Sequence, residues 1–575
     1  MSAHAYQPLD PDRNEIRMLE IHPSRRSSST LKCSLINFNL DDLDDDGTTT
    51  PFRFYEALSY TWGDPTGKVA IQLDGHAFEV TRNLAAALRR LRARKGYRYL
   101  WVDALCINQA DEAERGSQVA RMGLIYRQAE QVLIWLGPHA DGSKGAMQLV
   151  ARVSELGVDE DDVAASLADA AHRARWEAVA RLFDRPYWRR LWVRQEIALA
   201  RAIWVLCGDA LMSWDALIEG AAFLYDHAAD FDPIAAGLSH FTSGYMDANG
   251  VDIMCEGIRS GGLLALDDVL LSLRGCECTD LRDKVYGGLS LCDGDSRIPV
   301  DYGLDRVEVF TRAAIAAITS TGSLDIVCSC QNPERTSGLP SWVPDLGVDW
   351  MARKFRRTEN AKALGSAGGF TSSAYTIQRL DSGSFSLTAR GVVLDCLSEV
   401  CSAYTDDATL FEVLEEWRIS AIKTLTSVNV VLSADQIRSA FFRTIVANEE
   451  LHGLEASDTF IAQALEHAVD GTLQYVIPVI DLRYGDTEFS RRFRDDAANR
   501  RFFTTEKGYI GLGPVECRKA DLVVVLLGLA LPLVLRKENN HYVVVGEAYV
   551  HGIMNEEVSL MLSNSILEVE DFEIH

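Results

Sequence analysis

The chain runs to 575 residues, with 57 Lys and Arg against 83 Asp and Glu, for a formal net charge of −26. Such a length exceeds a single hydrophobic core and predicts roughly three or four folded units, and 47% hydrophobic with 24% charged residues predicts that most of them are globular. An acidic surface repels a phosphate backbone, which excludes general nucleic-acid binding and confines any anion site to a local basic cluster.

Residues 1–50 hold one strand candidate, "LKCSLINFNL", followed by the acidic linker "DDLDDDG". The N-terminal "MSAHAYQPLDPDRNEIRML" lacks a basic segment leading into an apolar one, so a soluble, cytoplasmic protein is expected. Over 51–208, strand and helix patterns alternate. "YEALSYTWGD" reads as a strand, "NLAAALRRLRAR" as a helix, "YRYLWVDALCINQ" as a second strand and "GSQVARMGLIYRQAEQ" as a helix carrying Val119, Met122 and Tyr126. "VLIWLG" is a third strand, "RPYWRRLWVRQEIALAR" a third helix and "AIWVLCGD" a fourth strand, with a helical insert over about 140–182. That alternation predicts an α/β fold, a parallel sheet with helices flanking it. Residues 209–384 read as a mainly helical region that includes "LRDKVYGGLSL". Residues 385–575 read as a mixed α/β region, with a compact, β-rich unit at 501–554. The apolar run Leu522 to Leu535 contains Gly528 and Pro532 and falls short of a membrane span; it reads as two buried strands around a turn.

In an open α/β sheet, ligands bind beyond the carboxyl ends of the strands. After the first strand this rule selects Tyr60, Trp62, Gly63 and Asp64; after the second it selects Asp103, Cys106, Asn108 and Gln109. The third helix supplies another wall: Trp188, Trp192 and Glu196 recur every four residues and would share one face. No residue three or four positions from Glu196 is basic, so its pKa should be raised or its partner should come from elsewhere in the fold. Arg82, Arg98 and Arg121 are available for that pairing, in which case Glu196 is structural. Six arginines between 181 and 201, among them Arg185, Arg189 and Arg190, face only Asp184 and Glu196 in that segment. They suit a phosphate or dinucleotide, and they equally suit a helix or subunit contact to the acidic remainder. The twelve cysteines show no zinc spacing and read as reduced thiols, with Cys106 a small buried residue. No metal site is expected. "GYIGLGP" reads as turn glycines (Gly508, Gly511, Gly513) among β segments.

The blocks "YEALSYTWGD", "LWVDALCINQADEAERGSQVARMGLIYRQAEQVLIWLG" and "RPYWRRLWVRQEIALAR" resemble the fungal heterokaryon-incompatibility (HET) domain. The later stretches "RDKVYGGLSL", "LPSWVPDL", "FFTTEKGYIGLGP" and "VVVGEAYVHGIM" resemble the middle and tail of HET-family proteins; where such tails often have Gly-Asp, this chain has Ala520-Asp521. The resemblance implies a role in fungal non-self recognition leading to growth arrest or programmed cell death. It also implies activation by another protein as trigger or by self-assembly through this domain.

The HET domain is in turn similar to the TIR domain, a flavodoxin-like fold in which some members cleave NAD with a glutamate after the third strand. "LWVRQE" is similar to the TIR pattern around that glutamate, with Val193 in place of its cysteine, and the insert is expected to reshape the pocket rim. Carried over, the resemblance makes Glu196 catalytic in a NAD hydrolase. It places the NAD pyrophosphate near Arg185, Arg189 or Arg190 and the nicotinamide ribose near Trp62, within a site that includes Tyr60, Gly63, Asp64, Asp103, Asn108 and Trp192. NAD is then substrate, and no cofactor is implied. The alternative is a non-catalytic signalling module in which Glu196 and the arginines form a packed contact.

Overall fold

A computed structural model describes residues 6–10, 13–25, 29–42, 55–156, 170–226, 241–262, 264–292, 298–331, 336–355, 375–427, 431–449, 455–466, 488–554 and 557–575. The acidic linker beyond residue 42 and the middle of the insert, 157–169, lie outside them. The chain packs into two compact units, Met1–Leu304 and Asp305–His575.

The strands of the first unit are β1 (Glu15–Ile21), β2 (Lys32–Asn39), β3 (Glu56–Tyr60), β4 (Lys68–Leu73), β5 (His76–Thr81), β6 (Arg98–Trp101), β7 (Gln131–Trp135), β8 (Ile203–Cys207) and β9 (Ala210–Ser213). Among the described residues they form one sheet of order β5-β4-β2-β1-β6-β3-β7-β8-β9. The inner β6-β3-β7-β8 block is parallel, whereas β1 pairs antiparallel with β2 and β6, β4 with β5, and β8 with β9. The sheet is therefore mixed, and the expectation of a parallel sheet holds for its centre. Every residue of β3 is buried, as a strand covered on both faces must be. Numbered along the chain, the four parallel strands lie in the order 2-1-3-4, so the order reverses beside β3.

Three helices frame the ends of these strands. The first, α1 (Arg82–Leu91), begins where the Thr81 side chain accepts from Leu84 N, and it buries Leu84, Ala87, Leu88 and Leu91. The second, α2 (Glu112–Gln128), is capped by Asp111, whose carboxylate accepts from Ala113 N and Glu114 N. It buries Met122, Ile125 and Tyr126, and its Gly123 is required, because a Cβ there would lie 2.3 Å from the Ser290 side chain. The expected third helix is broken. Residues Pro186–Arg189 form a 3₁₀ turn, Arg190 is extended, and α3 (Trp192–Ala198) starts afresh. The break has a partner: Leu191 N donates to Glu277 O at 2.9 Å and Glu277 N to Arg189 O at 2.6 Å, pulling Arg190 out of helical geometry. Trp188 and Trp192 consequently do not share a helix face. Trp188 stacks on Phe183, with ring centroids 5.6 Å apart, and donates to Leu182 O.

The second unit is built on β11 (Phe385–Tyr404), a 20-residue strand. With β10 (Tyr375–Arg379), β12 (Arg500–Thr505), β13 (Ile510–Pro514), β14 (Leu522–Leu526), β15 (Leu533–Glu538), β16 (His541–Glu547), β17 (Tyr549–Val550) and β18 (Glu570–Ile574), it forms the order β14-β15-β16-β18-β11-β12-β13-β17. β10 also pairs with β11, and β14 pairs back onto β11, closing a ring around Val392, Leu394, Val523, Val525 and Val534. Bulges along β11 let one strand serve several neighbours. The expected pair of strands around Gly528 and Pro532 is β14 and β15. Of the GYIGLGP glycines only Gly508, at φ +95°, occupies a turn. Gly511 and Gly513 lie within β13, where a Cβ would meet Phe503.

Candidate functional site

Beyond the carboxyl ends of β3 and β6, the described residues enclose a cleft of about 730 Å³, a size that suits a small organic ligand. Trp62, two residues past β3, forms one rim; its indole Nε1 donates to Asp103 Oδ2 at 2.7 Å, just past β6. Tyr60 lies behind this pair, buried, and hydrogen-bonds Asp103. Gln109 Nε2 donates to Asp103 O at 3.1 Å, closing the same corner. From α2 come Arg115, Val119 and Met122, and from α3 come Trp192 and Glu196.

Glu196 reaches the cleft from a buried position, 3% exposed. Ser59 Oγ, on β3, donates to its Oε2 at 2.5 Å and is itself 2.6 Å from the Tyr187 hydroxyl. Burial pushes the Glu196 carboxyl up to about 7; the Arg190 guanidinium and hydrogen bonds from Ser59 and Tyr126 offset part of this, and the Asp103 charge adds to it. The charge partner is therefore Arg190, not Arg82, Arg98 or Arg121. Arg98 pairs with Glu56 and Arg121 with Ser117 and Asn14. The helix break explains the exchange, because an extended Arg190 can turn back toward β3, where it donates to Tyr60 O.

A second carboxyl stands on the opposite wall. Asp283 accepts from Tyr302 OH at 2.7 Å and from Trp192 Nε1 at 3.3 Å. Burial pushes it up to about 6, against those two hydrogen bonds. Each cleft tryptophan is thus pinned by an aspartate, Trp62 by Asp103 and Trp192 by Asp283. Sequence reasoning missed this wall, which comprises Glu277, Cys278, Thr279, Asp280, Asp283 and Tyr302. "LRDKVYGGLSL", expected as one helix, forms a single four-residue helix, Asp283–Tyr286, and a 3₁₀ turn, Leu289–Leu291, and nothing in its spacing places Asp283 against Trp192 across 91 positions.

The cleft brings together Trp62, Asp103, Gln109, Arg190, Trp192 and Glu196 and leaves out other selected residues. Gly63 is in a left-handed turn, φ +77°, and Asp64 accepts from Thr66 N at 2.8 Å at the surface. Asn108 Oδ1 caps Ala110 N. Arg185 is engaged by Leu136 O at 2.6 Å and Cys207 Sγ, beside β7 and β8, and Arg189 by Glu277 at 2.8 Å. Cys106 is buried, its thiol pushed up to about 12 by desolvation. No described residue of the 140–182 insert lines the cleft, and residues 157–169 of the insert lie outside the described residues.

Residues 55–196 match the family described as Heterokaryon incompatibility protein (HET), and residues 434–566 match the Het-6 beta-barrel domain. The chain therefore carries one stretch similar to the HET domain and another similar to the Het-6 beta-barrel domain. The chain is 24% identical, over 695 aligned positions, to Heterokaryon incompatibility protein 6, OR allele, of Neurospora crassa, covering 98% of this chain and 96% of that one. No solved structure matches it. The HET match begins at Tyr55, beside β3, and ends on Glu196, so it contains the near wall of the cleft; the Asp283 wall lies beyond it. The barrel match spans β12 to β17, while β11 and β18, which complete the ring, lie outside it. Among the described residues no cluster of His, Cys, Asp and Glu is arranged to hold a metal, and no helix is long and apolar enough to cross a membrane.

Proposed function

We propose that this chain acts in fungal non-self recognition, and that its first unit cleaves NAD at the bond between nicotinamide and ribose. The observation that carries the proposal is a buried, partly neutralised carboxyl, Glu196, that opens onto a cleft at strand ends. Buried carboxyls with strongly perturbed pKa values in clefts are candidate catalytic groups. We read the 2-1-3-4 order of the parallel strands as flavodoxin-like, which places the cleft beside the point where strand order reverses.

The chemistry asks little of the protein. The C1′–N bond breaks with its electron pair moving to the nicotinamide nitrogen, whose positive charge is thereby cancelled, so no general acid is needed. Positive charge develops on the ribose, as in glycoside hydrolysis. Ionised Glu196 stabilises that charge, and Ser59 and Tyr126 keep its carboxylate oriented. Water adds to C1′ and releases a proton, giving nicotinamide and ADP-ribose. Trp62 and Trp192, pinned by their aspartates, offer aromatic faces to the ring systems. Another protein, or self-assembly through the HET domain, is the trigger in this reading, and NAD loss leads to growth arrest or cell death.

The test is nicotinamide release from NAD by the purified full chain, at high protein concentration, with Glu196→Gln beside it. Release by wild type and a loss of about 10²-fold or more in the variant is expected. Silence in both, with wild type alone toxic when expressed, would replace enzymology with a signalling contact centred on Glu196.

A further inference from the structure

We infer that Arg115 binds the anionic group of the ligand, so that the cleft takes phosphate-bearing ribosyl compounds in preference to uncharged nucleosides. The inference rests on the cleft being a ligand site, as proposed above, and moves the anion contact from Arg185, Arg189 or Arg190 to a residue of α2.

The other arginines around the cleft are committed. Arg189 holds Glu277, Arg282 forks onto Asp280 at 2.9 and 2.6 Å and also donates to Leu304 O, and Arg190 donates to Tyr60 O beside Glu196. Arg115 differs. Its guanidinium lies over the Tyr302 ring, 4.9 Å from the centroid, and its Nε is shielded from water with no hydrogen-bond partner among the described residues. Asp280 and Asp283 feel its charge, but Asp280 is already forked by Arg282 and Asp283 already accepts from Tyr302 and Trp192.

A guanidinium placed over an aromatic ring at a cleft wall, with its Nε unpaired among the described residues, is preorganised for an oxyanion. In a chain of net charge −26, it supplies the local positive charge that an anionic ligand requires. Glu196 and Arg115 both line the cleft, one suited to a developing cation and the other to a phosphate. A phosphorylated ribosyl ligand carries both.

The experiment uses the full chain in the Glu196→Gln background, where turnover is suppressed, and measures calorimetric dissociation constants for NAD, nicotinamide mononucleotide and nicotinamide riboside. The phosphate-bearing probes should bind at least about 10-fold tighter than the riboside. Arg115→Ala should erase that difference and leave riboside binding unchanged, while Arg115→Lys should restore part of it. An Arg115→Ala protein with an unaltered melting temperature and undiminished preference for the phosphorylated probes would overturn the inference and leave the proposed activity standing. Failure of every probe to bind, together with absence of nicotinamide release by wild type, would overturn both.

Discussion

Glu196 in the first unit and Glu547 in the second are both carboxyls taken out of water, 3% and 0% exposed, and burial raises the pKa of both. Their surroundings differ. Glu547 accepts from Arg500 Nη2 at 2.7 Å, Phe355 N at 2.9 Å and Gln331 Nε2 at 3.3 Å, and the Arg500 guanidinium is stacked 3.5 Å from the Phe355 centroid. The space beside it, lined by Gln331, Arg500 and Glu547, is about 10 Å³, room for one water at most. Glu196 instead opens on about 730 Å³. Asp496, pushed up to about 7 by burial and the nearby Glu449 charge, makes the same point within the second unit. A raised pKa therefore reports desolvation, and access to a cleft is what separates a candidate site from a structural ion pair.

That contrast can be broken at its structural end first. Arg500→Met should leave Glu547 buried and uncompensated and destabilise the second unit by about 3–5 kcal/mol, read as a lower urea midpoint. A neutral outcome would mean that Glu547 is not held as a charge.

The next effect lies at Glu196 and has the opposite sign. Its folded pKa, about 7, exceeds the ordinary 4.5, so between those values the folded state binds more protons than the unfolded one. Stability from this group is present below about 4.5 and is lost as pH rises toward 7. Glu196→Gln should remove the loss, stabilising the protein at pH 8 by at most about 3 kcal/mol and leaving it near wild type at pH 4.5. Equal urea midpoints at pH 8 would mean that the carboxyl is better solvated than its burial implies.

The smallest effect is on the scaffold. Ala520 is held at φ +73°, a left-handed conformation that favours glycine, just before Asp521, which takes Arg536 in two bonds of 2.9 Å. Ala520→Gly should stabilise the second unit by about 1 kcal/mol without altering the cleft, checked by thermal melting and ligand binding. The residue pair that departs from the family's frequent Gly-Asp is thus the one where glycine has a conformational reason.

Much of the first unit was legible because its parallel strands are apolar runs and its helices are amphipathic. β1 was not, since all but two of its residues are buried and its alternation is lost; its Arg17 is hidden by a fork onto Glu114. The β4–β5 hairpin carried a readable signal that went unused: Asp74-Gly75, both at positive φ, between two alternating runs. On the near wall, Trp62, Asp103, Gln109, Trp192 and Glu196 followed from strand ends and spacing. Arg190's role did not, because the helix break depends on Glu277, 87 positions away. The far wall and Arg115 were illegible for the same reason, being assembled by tertiary contact.

The most direct measurement is the rate of nicotinamide release from NAD by wild type between pH 5.5 and 8.5, with Glu196→Gln in parallel. The account predicts a rate that rises with pH through an inflection near 7, as Glu196 ionises, and a variant that is silent throughout. Release by the variant at the wild-type rate, with the same pH profile, would contradict it.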